Sequence, residues 1–430
     1  MTEIPNNDSY RLINVVIPRC VLEGISIEAD EFGLCCTDLT VSDGNITTIT
    51  AAGVNSPPTT PIVDRQHTLA LPCFVDMHTH LDKAHLCSRI ANPNGTFEGA
   101  IDACHHDQAV NWTHSDVFRR MDFALRSAYA HGTRAIRTHL DANATTNKFV
   151  WSAFAALKDK WDEKIELQAV SLSSLDSVDD SSVFRATCDL VEEHQALLGA
   201  VVYFDDDLAR RLRMLFEKAQ SLCVDVDLHV DETLMREADS LTTIAETLID
   251  VQFTGRVTVG HCCSLSTHSP QQIERTLDRM AEANLSVVSL PMCNLYLQDR
   301  SDGRTPRLRG VTPVHEMRAR GIPVAFASDN TRDPFYAYGD QDMLEVLREA
   351  TRISHLDHPV ASWPASVSRV PADIMRLADR GRIMPGSAAD LVMFSARNYS
   401  ELYSRTQSDR VVLRDGQAID TTLPDFRELD

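Results

Sequence analysis

From residue 73 onward, eight short apolar runs with the character of strands alternate with stretches whose apolar residues recur at helical spacing. The runs are Cys73 to His78, Thr133 to His139, Ile165 to Ser171, Ala200 to Phe204, Val224 to His229, Arg256 to His261, Leu285 to Leu290 and Ile322 to Ser328. Between the first two, Val117, Met121, Ala124, Leu125 and Ala128 fall on one helical face, and Gly132 marks the stop. Parallel neighbours need a long crossover, which a helix supplies, so the alternation predicts a parallel sheet. Eight repeats predict an α/β fold of the (β/α)8 type, a TIM barrel.

The flanks read differently. Residues 10 to 70 hold strand-like pieces at Leu12 to Ile17, Asp38 to Ser42 and Ile46 to Thr50, with turn signals at Asp43-Gly44-Asn45 and Pro57-Pro58 and no helical period. In the tail, Ala389 to Phe394 and Arg410 to Arg414 read as strands around a helical Ser400 to Ser404, with a turn at Asp415-Gly416. The two ends are expected to pair into a small composite β-sandwich domain, residues 1–70 and 381–430, beside a barrel of residues 71–380.

Charge narrows the function. Lys+Arg 41 against Asp+Glu 62 leaves a formal net charge of -21, which repels nucleic-acid phosphates and anionic lipid heads. The expected partner is a small molecule, with neither nucleic acid nor membrane involved. Eleven cysteines, an odd count without a Cys-x-x-Cys pair, fit neither a disulfide framework nor a zinc ribbon. Met1 to Tyr10 lacks a signal pattern and no apolar run approaches the roughly 20 residues of a membrane span, so a cytoplasmic protein is expected.

The histidines of these runs, His78, His139, His229 and His261, fall at or just before the ends of the strands, and Asp329 follows the eighth run by one residue. Barrel enzymes build their sites at that rim. His78 and His80, two apart at the end of a strand-like run from Leu69 to Val75, share a face and can reach one metal ion. With His229 and Asp329 they make four protein ligands for one divalent ion, Zn(II) or Fe(II), with a water completing the shell. Such an ion would bring the water's pKa towards neutrality, and Asp329 could receive its proton. Glu232, three residues past His229, reads as a proton shuttle of raised pKa. His261 could polarise a carbonyl or orient the hydroxide, or serve as a hydrogen-bonded core histidine. Arg137, His139 and Asp141 alternate on one strand face and read as support for the ligands. His85, His105, His106 and His114 read mostly as surface residues.

Taken together, Phe74-Val75-Asp76-Met77-His78-Thr79-His80-Leu81-Asp82, Arg137-Thr138-His139-Leu140-Asp141, His229-Val230-Asp231-Glu232, Asn294 to Arg300, and Ser328-Asp329-Asn330 with Asp333-Pro334-Phe335 resemble the amidohydrolase superfamily, and within it the cytosine deaminase group. The resemblance runs from about residue 70 to 420 and includes Arg309-Gly310-Val311-Thr312 and Gly339 to Leu344. It implies a metal-dependent barrel with a composite β domain, one catalytic metal and hydrolytic deamination of a small heterocycle. The family's ligands match His78, His80, His229 and Asp329, its proton shuttle Glu232, and its carbonyl-side histidine His261. No carboxylated lysine is implied, since Lys158, Lys160 and Lys164 all precede the third strand. Relatives assemble, so a homo-oligomer is implied as well.

Departures bear on the substrate. Where cytosine deaminases carry a glutamine that reads the pyrimidine amide edge, this chain has Ser174, which lacks that paired donor and acceptor. Asn330 stands in place of an aspartate, and Phe335 in place of a ring-covering tryptophan. Segments around His78 to Lys83 and Ser328 to Asp333 also resemble N-isopropylammelide hydrolases. Lys83 and Arg332 add positive charge, either for an anionic or carbonyl-rich ligand or to neutralise Asp82 and Asp333. The leading expectation is attack by metal-generated hydroxide on an amidine-like ring carbon, with Glu232 protonating the departing ammonia or amine. Cyclic amide hydrolysis with ring opening is the alternative within enzymes, and a non-catalytic metal-binding or assembly protein the alternative outside them.

Overall fold

The computed structural model describes residues 4–5, 7–53, 60–141 and 147–430; the Pro57-Pro58 turn and the side chain of Asp141 lie outside what is described. The chain forms two compact units, one of Met1–Asp76, Arg126–Ala135 and Asp342–Pro424, the other of Met77–Leu125, Ile136–Gln341 and Asp425–Asp430.

In the first unit, β1 (Ser9–Pro18), β2 (Leu34–Ser42), β3 (Asn45–Ala51) and β4 (Ile62–Pro72) join β13 (Leu391–Met393), β14 (Val411–Arg414) and β15 (Gln417–Ala418) in one seven-stranded sheet. The first part of β4 pairs parallel with β1, and its last residues, Ala70 to Pro72, pair antiparallel with β13. The chain's two ends thus share a strand, and Leu12, Leu39, Leu391 and Leu413 meet in one apolar cluster. Gly132, at φ +99°, closes the helix His114–His131, and a Cβ there would lie 2.5 Å from Val392 Cγ2. Gly132→Ala is expected to cost more than about 1 kcal/mol of stability. Differential scanning calorimetry checks this; an unchanged midpoint would show that the contact relaxes freely.

The remaining strands are β5 (Phe74–Thr79), β6 (Thr133–Asp141), β7 (Glu166–Leu172), β8 (Leu197–Val202), β9 (Val226–Val230), β10 (Val257–His261), β11 (Ser286–Ser289) and β12 (Val324–Phe326). They form an eight-stranded sheet in chain order, parallel in the pairings from β7 to β12. It closes on itself where Asp329 N donates to His78 O at 2.9 Å, joining first strand to last as a TIM barrel. Every residue of β9 and β10 is buried, polar and apolar alike, as expected of parallel strands covered on both faces.

Two boundaries depart from the sequence expectation. The apolar run from Leu69 to Val75 contains two strands, because β4 ends at Pro72 and Cys73 N turns to Asp390 O at 3.0 Å before β5 begins. The fourth barrel strand spans Leu197 to Val202 instead of Ala200 to Phe204. Its ladder with β9 ends at Val202↔Val230, and the next two residues, Tyr203 and Phe204, are each 53% exposed. Aromatic character there reflects a cavity lining rather than a strand interior. None of the eleven cysteines is in a disulfide, and among the described residues no helix is long and apolar enough to cross a membrane.

Candidate active site

The chemistry-bearing residues converge at the C-terminal ends of the barrel strands. His229 Nε2 lies 3.2 Å from His80 Nε2, and Asp329 Oδ1 lies 3.4 Å from His80 Nε2 and 3.7 Å from His78 Nε2. His139 joins them, with its ring centroid 4.0 Å from that of His78. Close approach is built into the backbone: a Cβ at Gly260 would lie 3.1 Å from His78 Cε1. His261 and Asp329 hold left-handed conformations, φ +66° and +60°, a strain that surrounding structure must maintain.

These groups fit a divalent cation. Among the described residues, fully buried His78 has no hydrogen-bond partner at either ring nitrogen, and Nδ1 of His80 and of His229 also lacks one. Donor atoms of His78, His80 and Asp329, and separately of His78, His139 and His229, lie within 4.8 Å of one another. Burial holds all four imidazoles well below the ordinary histidine range, and the neutral ring is the form that binds metal. Behind His139, Asp227 accepts a hydrogen bond from Arg137 Nη1 at 2.9 Å and lies 3.7 Å from His139 Nε2.

Glu232 and His261 face each other across the cluster, Oε1 to Nδ1 at 3.4 Å. Burial, reinforced by the negative charge of Asp329, pushes the Glu232 carboxyl well above its usual range, and burial takes His261 down to about 3. A cavity of about 260 Å³ is lined by His80, His229, Glu232, His261 and Asp329 together. Lys83, Ser174, Asn330 and Phe335, the residues expected to contact substrate, line the same cavity. His78 packs against His139 and His229, with ring centroids 4.0 Å and 4.6 Å away. Of the residues singled out from the sequence, His80, Lys83, Ser174, His229, Glu232, His261, Asp329, Asn330 and Phe335 line this cavity, and His78 does not.

Two positive charges part company. Lys83 Nζ sits 5.1 Å from the Phe335 ring centroid at the cavity wall, whereas the Arg332 guanidinium lies 4.1 Å from the Phe426 ring and is not among the lining residues. Asp333 accepts bonds from Asn330 Nδ2 at 2.7 Å and from Phe335 N at 2.8 Å, tying two wall residues together; burial pushes its carboxyl up to about 6. His105, His106 and His114 are exposed as expected, His105 at the cavity edge. His85 is not. It is 1% exposed, its ring packs 4.7 Å from that of Phe123, and its backbone N donates to Thr331 O at 3.0 Å, so it stitches the loop after β5 to the loop after β12.

Some wall residues carried no sequence signal. Phe97 and Ile101, on the helix Phe97–Asn111, close one side, and Tyr203 marks the join to a second cavity of about 450 Å³ that shares Phe97, Val201, Glu232 and His229. Asn294, inside a motif noted from the sequence, contacts both Glu232 and His261.

Comparison with known proteins agrees with this geometry. The model of the amidohydrolase family matches residues 117–419. The pterin deaminase of Rhizobium rhizogenes is 49% identical over 426 residues, covering 99% of this chain and 97% of that one. N-isopropylammelide isopropyl amidohydrolase of a Pseudomonas strain is 23% identical, covering 78% of this chain and 81% of its own. In fold, 5-methylcytosine deaminase of Klebsiella pneumoniae, solved with 5-fluorocytosine, superposes with a TM-score of 0.81 at 24% identity, covering 96% of this chain and 98% of that one. N-isopropylammelide isopropylaminohydrolase of Burkholderia multivorans gives 0.74 at 23% identity, covering 95% and 97%. The chain belongs to the amidohydrolase family. It is accordingly a hydrolase of C–N bonds other than peptide bonds.

Proposed function

We propose that this enzyme hydrolytically deaminates a fused amino-bearing heterocycle of the pterin type, exchanging a ring amino group for oxygen and releasing ammonia. The observation that carries the reading is the single cavity onto which His80, His229, Asp329, Glu232 and His261 all open. Nearly half-identity with a pterin deaminase over almost the whole chain supports the substrate class. So does the wall: the short Ser174 leaves open a place that a pyrimidine reader would fill, and the second cavity gives a two-ring substrate room to extend.

His78, His80, His229 and Asp329 would hold the divalent ion, either Zn(II) or Fe(II), both of which accept imidazole and carboxylate. Such an ion supplies a water acidified towards neutrality. Asp329 takes the proton of the attacking water, and Glu232, its carboxyl pushed up by burial, hands one to the departing amino nitrogen. His261 donates to the electron-rich ring nitrogen or oxygen as the amidine carbon becomes tetrahedral. Phe335 and Phe97 bound the ring faces, and Lys83 and Asn330 offer polar contacts at the wall. Assembly as a homo-oligomer in the cytoplasm belongs to the same reading, and sedimentation of the purified protein tests the first part.

An ammonia-release assay of the metal-loaded enzyme against pterin, cytosine, isocytosine and an N-alkylated ammelide should show highest kcat/KM with pterin. The product mass must report loss of the amino group with the ring intact. A mass gain of one water without ammonia would mean ring opening and would displace deamination; preference for a single-ring substrate would displace the pterin assignment.

A further inference from the structure

Asn294 lies on the short helix Pro291–Leu297, is 1% exposed, and places Nδ2 2.9 Å from His261 Nδ1 and 3.3 Å from Glu232 Oε1. One amide nitrogen carries two hydrogens, so it serves both acceptors at once. One helical turn on, Gln298 Nε2 donates to the Glu232 carbonyl oxygen at 3.2 Å, and Thr312 Oγ1 donates to the His261 carbonyl oxygen at 2.7 Å. Both the side chains and the backbones of Glu232 and His261 are therefore held.

We propose that Asn294 is a positioning residue that holds His261 in the tautomer protonated on Nε2 and holds Glu232 beside it, so that His261 meets the reacting ring as an N–H donor. A neutral imidazole whose Nδ1 accepts a hydrogen bond carries its proton on Nε2. A proton on Nδ1 would instead face the Asn294 amide at 2.9 Å, donor against donor. Nε2 of His261 is buried and has no hydrogen-bond partner among the described residues, while His261 itself lines the catalytic cavity. An orphaned donor aimed at a substrate pocket is a group whose partner arrives with the substrate. The inference rests on the roles proposed for Glu232 and His261.

The test uses zinc-loaded wild type, N294A and N294D. Nitrogen-15 NMR of histidine-labelled protein, with the His261 signals identified by their loss in H261Q, should show the Nε2–H tautomer in the wild type. N294D, whose carboxylate only accepts, should move the proton to Nδ1 and lower kcat by about 10²-fold or more while KM and zinc content stay near wild type. N294A should lose less than N294D, because it removes the donor without imposing the opposite tautomer. A wild-type signal for Nδ1–H would overturn the assignment of Asn294 and leave an inactive E232Q untouched. Wild-type kcat in N294D, or kcat losses that simply track a lower thermal midpoint and lost zinc, would overturn it too. Full turnover in E232Q would remove the role of Glu232 and leave the tautomer signal standing, so the two failures are distinguishable.

Discussion

Glu232→Gln is expected to keep the fold and the metal and to lose turnover by about 10²- to 10⁴-fold. Glutamine matches the shape of glutamic acid and can still accept from Asn294 Nδ2, so the hydrogen bond at 3.3 Å survives. What it lacks is a transferable proton. Burial and the nearby Asp329 push the Glu232 carboxyl well above its usual range, and in the proposed reaction its proton is the one the leaving amine needs. Steady-state ammonia release gives kcat, and elemental analysis of the same sample gives the metal. If E232Q turns over within a few-fold of wild type with metal in place, Glu232 is not the shuttle.

Stripping the divalent metal with a chelator is expected to abolish turnover and to lower the thermal midpoint, and adding Zn(II) or Fe(II) should restore both. The stability effect follows from linkage: a ligand at about 1,000 times its Kd adds about 4 kcal/mol to the folded state. Without it, several buried imidazoles and a carboxylate are left facing one another, with His229 Nε2 and His80 Nε2 only 3.2 Å apart. His229→Ala removes one donor from the cluster and should bind metal too weakly to be rescued at concentrations that rescue the stripped parent. Calorimetry with and without metal separates the outcomes. Full activity after verified removal of all metal, or normal metal content in H229A, would contradict the ligand set.

The barrel was legible because its signal is periodic and repeated. Short strand-like runs recur between stretches of helical spacing, and the helix before β6 shows Val117, Met121 and Leu125 on one buried face. Errors came where local character has two explanations. Tyr203 and Phe204 have strand-like composition, yet hydrogen bonding to β9 stops before them and leaves them to line a cavity. His85 has the polar neighbours of a surface loop, yet a left-handed turn at φ +62° carries its ring against Phe123. Neither outcome is decided by the residue and its neighbours in the chain.

By itself the amino-acid sequence determined the alternating elements, the rim on which the chemistry sits, and the residue types able to hold a cation and move a proton. These follow from side-chain periodicity and from the donor chemistry of histidine and carboxylate, both of which are local. Only the tertiary structure decided that Lys83 faces the cavity while Arg332 lies against Phe426, that Asn294 bridges Glu232 and His261, and that Asp333 ties Asn330 to Phe335. Each of these joins groups brought together by strand closure and loop packing. A hydrogen bond selects its partner by distance and direction in space, and no spacing along the chain encodes either.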